Sequence, residues 1–229
     1  MDRGLIVREI RRAAPDVITG LGEAGVATVH EAGSARLLHP EVTPIQQGAR
    51  IAGSAVTVSC PPGDNLMIHA AVETIEPGDV LVVATMEPAD NGMFGDLLAV
   101  SVSQRGCAGL VTNGGVRDVA VLREMGFPVW ARRVHAAGTS KTGVGAVNLA
   151  VTCAGVEVRP GDVVVADDDG VAVVEQERAS EVLNLARLRL LKEDDTRERL
   201  ASGELGLDLY GFRRRLDELG VRWVDSPEE

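Results

Sequence analysis

An α/β domain followed by a charged helical arm is the architecture this sequence predicts, and three observations predict it. Apolar residues make up 45% of the 229-residue chain and aromatics only 3%, so the core must be built from Val, Leu, Ile and Ala. Short Val-rich runs alternate with stretches of helical spacing, a pattern of strands layered with helices and not of an aromatic-rich sandwich. Beyond residue 175 the composition changes, with few β-branched residues and many charges. The expected division is residues 1–175 as the α/β domain and 176–229 as a helical arm that packs on a neighbouring subunit.

Taken in order, residues 16–25 predict a short, glycine-broken helix and residues 28–37 a second helical piece. Residues 48–60 alternate apolar and small side chains, predicting a strand that stops at Pro61-Pro62-Gly63. Apolar positions at helical spacing over 65–74 predict a helix, and Glu76-Pro77-Gly78-Asp79 is a turn signature that feeds a buried strand at 80–84. A helix at 96–104, a short strand at 109–112 and a helix at 118–125 follow, the last stopped by Gly126 and Pro128. Residues 129–132 predict another strand, 136–145 a loop rich in Gly, Thr and Ser, and 146–158 further strand material. The Pro-Gly-Asp-Val turn recurs at Pro160-Gly161-Asp162-Val163, again ahead of a Val run; two copies are too few for a solenoid. A strand at 170–174, a long charged helix at 176–201 and a shorter helix at 208–220 complete the chain.

The formal charge of −11 argues against a nucleic-acid surface, which needs a basic stripe. Cys60, Cys107 and Cys153 are scattered without a Cys-x-x-Cys pair, so they are expected as small buried hydrophobes, not as a disulfide framework or zinc site. Charges at Asp2, Arg3, Arg8, Glu9, Arg11 and Arg12 leave no room for a signal-peptide core. No apolar run approaches the roughly 20 residues of a membrane span. A cytoplasmic protein with no nucleic-acid and no membrane partner is expected.

The chemistry concentrates between residues 92 and 118. Gly95-Asp96-Leu97-Leu98 and Asn113-Gly114-Gly115-Val116-Arg117-Asp118 each place an Asp where a tight turn hands over to a helix, and the second adds an Arg. Carboxylates suit a hard cation, a guanidinium suits a substrate carboxylate, and free amides at helix starts suit an anion. Together they describe a site for a small anionic substrate on a metal. The plainer readings are that Asp96 and Asp118 are helix N-caps and that Arg117 is a surface ion-pair partner.

The ordered set of motifs resembles the RraA-like superfamily, and within it the class II aldolases of 4-carboxy-4-hydroxy-2-oxoadipate and 4-hydroxy-4-methyl-2-oxoglutarate. It comprises Gly53-Ser54-Ala55-Val56-Thr57-Val58, Pro62-Gly63-Asp64-Asn65, Pro77-Gly78-Asp79-Val80, Gly92-Met93-Phe94-Gly95-Asp96, Gly114-Gly115-Val116-Arg117-Asp118 and Arg159-Pro160-Gly161-Asp162, and the tail 203–211 adds to it. The resemblance implies a swivelling β/β/α-type domain assembled as a homotrimer or homohexamer, with active sites at subunit contacts. It implies Mg²⁺ or Mn²⁺ held directly through Asp118, with Asp96 acting through water. Arg117 is expected on the keto acid, and the backbone after Gly95, at Asp96, Leu97 and Leu98, on its carboxylate. An acidic residue from a neighbour's C-terminal helix is also implied near the metal, through water; Glu193, within Lys192-Glu193-Asp194-Asp195, is the choice here.

Independently of the resemblance, cleaving a carbon–carbon bond beside a 2-keto acid needs an electron sink, either a lysine Schiff base or a metal. The two lysines are Lys192, in a charge cluster, and Lys141, in a loop with no apolar surroundings in sequence. A metal is the better sink. The reaction that the resemblance implies is cleavage of a 4-hydroxy-2-keto acid to pyruvate and a second keto acid, with Arg117 and Asp96 catalytic and oxaloacetate decarboxylation as a side activity. The rival is an RraA-type protein that binds and inhibits an RNA-degrading enzyme. A methyltransferase is rejected because no glycine-rich nucleotide fingerprint follows a strand.

Of the remaining polar residues, His69 is expected as a core or pocket-wall histidine, while His30, His39 and His135 lack metal-ligand spacing. Asp64-Asn65 reads as a turn with an N-cap, with lining of the pocket as the other reading. Asp167-Asp168-Asp169-Gly170 lacks calcium-loop spacing and reads as a solvated turn.

Overall fold

The computed structural model describes residues 4–33, 35–87 and 90–226; Asp2 and Arg3 of the charged N-terminus and Ser34 of the second predicted helix lie outside them. The elements are β1 (Leu5–Ile6), α1 (Pro15–Ala24), α2 (Val26–Gly33), β2 (Arg36–Leu37), β3 (Thr43–Pro44), β4 (Ile51–Cys60), α3 (Leu66–Ala71), β5 (Val80–Thr85), β6 (Gly92–Phe94) and α4 (Asp96–Ser103). They continue as β7 (Gly109–Val116), α5 (Val119–Glu124), β8 (Val129–Val134), β9 (Ala146–Val147), β10 (Val151–Cys153), β11 (Val156–Val158), β12 (Val163–Asp167), β13 (Gly170–Val174), α6 (Ala179–Ala201), α7 (Gly206–Leu209) and α8 (Phe212–Glu218).

Strands β4, β5, β7 and β8 pair in parallel, each joined to the next through one of the helices α3, α4 and α5. Antiparallel strands flank them, giving the order β2-β13-β12-β4-β5-β7-β8-β3, with β6 alongside β7 and β9 alongside β4. The almost wholly buried runs of β4 and β5 suit their central place, because a parallel sheet is covered on both faces and both sides of such a strand must be apolar. Val56, Val58, Leu81, Val83 and Leu110 face the layer made by α3, α4 and α5. Their neighbours Ala55, Val80, Val82 and Val111 face the hairpin β10–β11 instead. Trp130, fully buried in that second layer, donates its indole N–H to the Asp167 carbonyl at 2.8 Å. A third cluster packs α1, α2 and the first turns of α6 on β12 and β13.

Three Pro-Gly-Asp turns organise this frame, one more than the pair that precedes Val runs. Gly63, Gly78 and Gly161 have φ of 69°, 91° and 86°, the left-handed region that glycine enters freely. In two of them the Asp closes the same ring: Asp79 accepts from the Glu76 amide at 2.8 Å and Asp162 from the Arg159 amide at 3.0 Å. Arg12 holds Asp79 with two hydrogen bonds of 2.9 Å.

Several boundaries differ from the sequence expectation. The predicted helix 28–37 ends at Gly33, and Arg36–Leu37 pairs with β13, because an edge strand was available to two residues with no helical partners. The short strand at 109–112 runs on to Val116. The last helix is two pieces, broken where Gly211 adopts φ 66°. Asp168 and Asp169 are exposed as expected of a solvated turn, but Asp167 is buried and accepts from the Val26 amide at 2.9 Å, capping α2. The three cysteines are free and buried, and burial pushes the Cys60 and Cys153 thiols up to about 12 and Cys107 to about 11.

The chain forms two compact units, Met1–Arg187 and Leu188–Glu229. The second holds the outer part of α6 with α7 and α8, and neither α7 nor α8 buries a residue. Among the described residues no helix is long and apolar enough to cross a membrane.

Candidate active site

The carboxyl ends of β6 and β7 lie side by side, with Gly92 opposite Gly115 and Phe94 opposite Val116. Each strand then delivers one acidic residue: β6 runs through Gly95 into α4 at Asp96, and β7 runs through Arg117 and Asp118 into α5. The Arg117 amide donates to the Phe94 carbonyl at 2.9 Å, which locks the two crossings together. A ligand site at this edge follows the general behaviour of parallel sheets, whose loops gather at the carboxyl ends of the strands.

Asp118 sits in the left-handed region at φ 55° and makes no side-chain cap to its own helix, although it occupies the N-cap position. Its Oδ2 lies 3.3 Å from Arg117 Nε and 3.4 Å from the Asp96 amide. A non-glycine residue held in this conformation, with its carboxylate turned away from the cap, is the kind of local strain that gathers at functional sites. The N-cap reading of Asp118 therefore does not hold. Asp96 is the first residue of α4, and its Oδ1 accepts from the Leu97 amide at 2.7 Å. The first backbone bond of α4 runs from Ala99 to Gly95, so the amides of Asp96, Leu97 and Leu98 precede it and have no carbonyl partner within the helix. Gly95 is required by close approach. A Cβ there would press into Asp118 Oδ2 and lie 3.1 Å from Arg117 Cγ.

A cleft of about 90 Å³ opens over these groups, lined by Gly95, Asp96, Leu97, Leu98 and Arg117 together with Asn65, His69, Met93 and Lys141. The loop 136–145 borders it. Its Ala137 carbonyl accepts from the Gly92 amide at 2.8 Å, and its Ser140 carbonyl accepts from the Asn65 amide at 3.2 Å. Asp64, only 2% exposed, clamps the same loop: its Oδ2 accepts from Ser140 Oγ at 2.6 Å and from the amides of Thr142 and Gly143 at 2.7 and 2.8 Å. Burial alone would raise this carboxyl, yet these bonds and one from the Leu66 amide bring it down to about 2. His69 titrates below the usual imidazole range, through burial first and then the nearby Lys141 charge.

The structure thus brings together six of the seven site residues expected from sequence: Gly95, Asp96, Leu97, Leu98, Arg117 and Asp118. Glu193 lies on α6 in the second unit, paired with Arg189 at 2.7 Å. His69 is a pocket-wall residue, one of its two expected readings, and Asn65 lines the cleft as well. Lys141, which has no apolar surroundings in sequence, lines the cleft beside Met93, Leu97 and Leu98. Its neighbours come from β6 and α4, more than 40 residues away, so only its rarity in a lysine-poor chain marked it.

The oxygen donors of Asp96 and Asp118 suit Mg²⁺ or Mn²⁺, hard cations that take one or two protein carboxylates and fill the remaining positions with water and substrate oxygens. Among the described residues no three His, Cys, Asp or Glu side chains converge as a preformed cluster. Two carboxylates from one chain fit an ion that the substrate helps to hold.

The family profile described as RraA-like, Aldolase/RraA, matches residues 21–173, a span that includes every cleft residue named above. The chain belongs to the RraA-like family. A relative from Halalkalibacterium halodurans, 34% identical over 161 residues (70% of this chain and 76% of its own), bears the name "Putative 4-hydroxy-4-methyl-2-oxoglutarate aldolase". Among solved structures, Streptomyces coelicolor RraAS2, described as an unusual member of the RNase ES inhibitor RraA protein family, is 32% identical with a TM-score of 0.74. The match covers 82% of this chain and 99% of that one. An uncharacterized protein from Pseudomonas syringae pv. tomato str. DC3000 is 25% identical with a TM-score of 0.77, over 86% and 93% of the two chains. This chain's RraA-like fold is an α/β domain followed by a C-terminal helix, and similar family members bear aldolase names.

Proposed function

We propose that this RraA-like protein is a divalent-metal-dependent aldolase that cleaves 4-hydroxy-4-methyl-2-oxoglutarate or 4-carboxy-4-hydroxy-2-oxoadipate to pyruvate and a second keto acid. The observation that carries it is Asp118, turned away from its own helix toward Arg117 and the start of α4. Asp118 would hold Mg²⁺ or Mn²⁺ directly and Asp96 through water. Once bound, the ion supplies the electron sink that a retro-aldol step requires.

The chain's own groups do the rest. The open amide of Leu98, joined by that of Leu97 once the Asp96 side chain turns away, takes the substrate carboxylate at the start of α4. Asp96 orients a water that accepts the C4 hydroxyl proton. As the C3–C4 bond breaks, a carbonyl forms at C4 and the electron pair moves onto the keto-acid fragment. The charge that develops on its C2 oxygen meets the Arg117 guanidinium. A proton returned by water to C3 completes pyruvate. Oxaloacetate presents the same keto acid with carbon dioxide as the leaving fragment, so decarboxylation belongs to the same site. The exposed apolar residues of the second unit and the incomplete acidic set fit a homo-oligomer, a trimer or hexamer, in which the arm and Glu193 reach a neighbour's site.

The test is pyruvate release, coupled to lactate dehydrogenase, from both aldol substrates and from oxaloacetate, with Mg²⁺, Mn²⁺ or EDTA. Asp118→Asn is the informative variant because Asn tolerates the left-handed conformation. Release that needs the metal and falls by about a hundredfold or more in this folded variant supports the reading. The rival reading rests on the likeness to RraAS2. A folded, metal-supplied protein that releases no pyruvate from any of the three would favour it.

A further inference from the structure

Residues 4–13 run ahead of the span 21–173 that the family profile matches, and they are built into the molecule at both ends. At one end β1 lies parallel to β9, with the Gly4 amide donating to the Gly145 carbonyl at 2.7 Å and the Val7 amide to the Val147 carbonyl at 3.1 Å. At the other, Arg12 grips the buried Asp79 with two bonds of 2.9 Å, and the Ala13 amide donates to Ser54 Oγ at 3.3 Å. Among residues 4–13 only Ala13 is buried, and Leu5 and Ile6 are 44% and 43% exposed. Ordering such a strap costs conformational entropy at every residue, and little apolar burial offsets it. What it secures is β9, a two-residue strand that directly follows the 136–145 loop and has β4 on its other side. Asn148 closes the join. It is 3% exposed and left-handed at φ 56°. Its amide donates to the Thr57 carbonyl of β4 at 2.7 Å, and its Nδ2 donates to the Val7 carbonyl at 2.8 Å.

We propose that Asn148 is a positioning residue, which through the N-terminal strap holds the 136–145 loop against the cleft and thereby sets substrate affinity. The loop is pinned at its start by Ala137 on Gly92, in its middle by Asp64 and at its end by the strap on Gly145 and Val147. Releasing the last pin leaves β9 paired on one side only, so the stretch 141–147 opens more often. That stretch carries Lys141 into the cleft, and Ser140 beside it holds the Asn65 amide. Asp96, Arg117 and Asp118 reach the site from β6 and β7 instead. The strap therefore acts on the wall of the cleft and not on the reacting centre. Its effect on affinity rests on the keto-acid reading; its hold on the loop does not.

Hydrogen exchange and steady-state kinetics on the full chain test this together. Asn148→Gly keeps the left-handed backbone and removes the bond to Val7, while Val7→Pro removes the amide given to Val147 from the other side of the join. Each variant is expected to speed exchange at the amides of 141–147 by about tenfold, the range for one hydrogen bond, and by more than at β5 and β7. Each should also raise KM for pyruvate release about fivefold to tenfold with kcat within about twofold, because Asp64 still grips the middle of the loop. Unchanged loop exchange in both variants, equal acceleration of loop and core, or a KM that stays at the wild-type value overturns the proposal. Faster loop exchange in a protein that releases no pyruvate supports the hold on the loop and sinks the aldolase reading.

Discussion

Asp118 and Gly95 show how a single backbone choice makes a site. An Asp at the start of α5 has the composition of an ordinary cap, but with φ at 55° its carboxylate leaves the helix and approaches Arg117 and the Asp96 amide. Only a residue without a side chain fits between them. Gly95→Ala would drive a methyl group into Asp118 Oδ2 and Arg117, away from any core cluster. Displacement of this order costs about a hundredfold in rate when geometry carries the chemistry. The expected outcome is that loss of pyruvate release with a thermal midpoint within a few degrees of the wild type. A variant that keeps full activity would show that the Asp118 position is not demanding.

At the level of elements, the Pro-Gly-Asp turn is one solution used three times, with its carboxylate spent differently each time. In the turns before β5 and β12 it closes on its own strand entry. Before α3, Pro61 has no amide to offer, and Asp64 instead reaches across to the 140–143 loop. Its folded carboxyl, at about 2, lies below the unfolded value near 3.8. The bonds to the ionised form thus favour folding above the unfolded value, and their contribution is lost as pH falls from about 4 through about 2. Asp64→Ala should lower stability at neutral pH by about 2–3 kcal/mol in urea unfolding, the scale for emptying several buried donors. It should also flatten the stability loss between pH 4 and 2; an unchanged acid limb would place that loss on other carboxylates. The turn residues were legible in the sequence, but the partner loop was not, since no local pattern joins Asp64 to Gly143.

For the whole molecule, the decisive contrast is between a unit with a buried core and one without. Leu205, Tyr210, Phe212, Leu219 and Trp223 are each half or more exposed, and it is this cluster of apolar side chains in one short segment that we propose as an association surface. Deleting residues 188–229 should leave the first unit folded, with a smaller assembly by light scattering and little pyruvate release. An unchanged assembly mass would show that the arm is not the contact. The sequence by itself determined that the Val runs are strands covered on both faces, without separating parallel β5 from antiparallel β12, and it marked Gly95, Asp96, Arg117 and Asp118 by glycine turns beside charges. Tertiary structure decided that β6 and β7 end together, that Asp118 abandons its cap, and that Asn65 and Lys141 share the cleft. Those facts depend on side chains meeting across 20 to 80 residues of chain, a distance at which spacing along the sequence carries no geometric information.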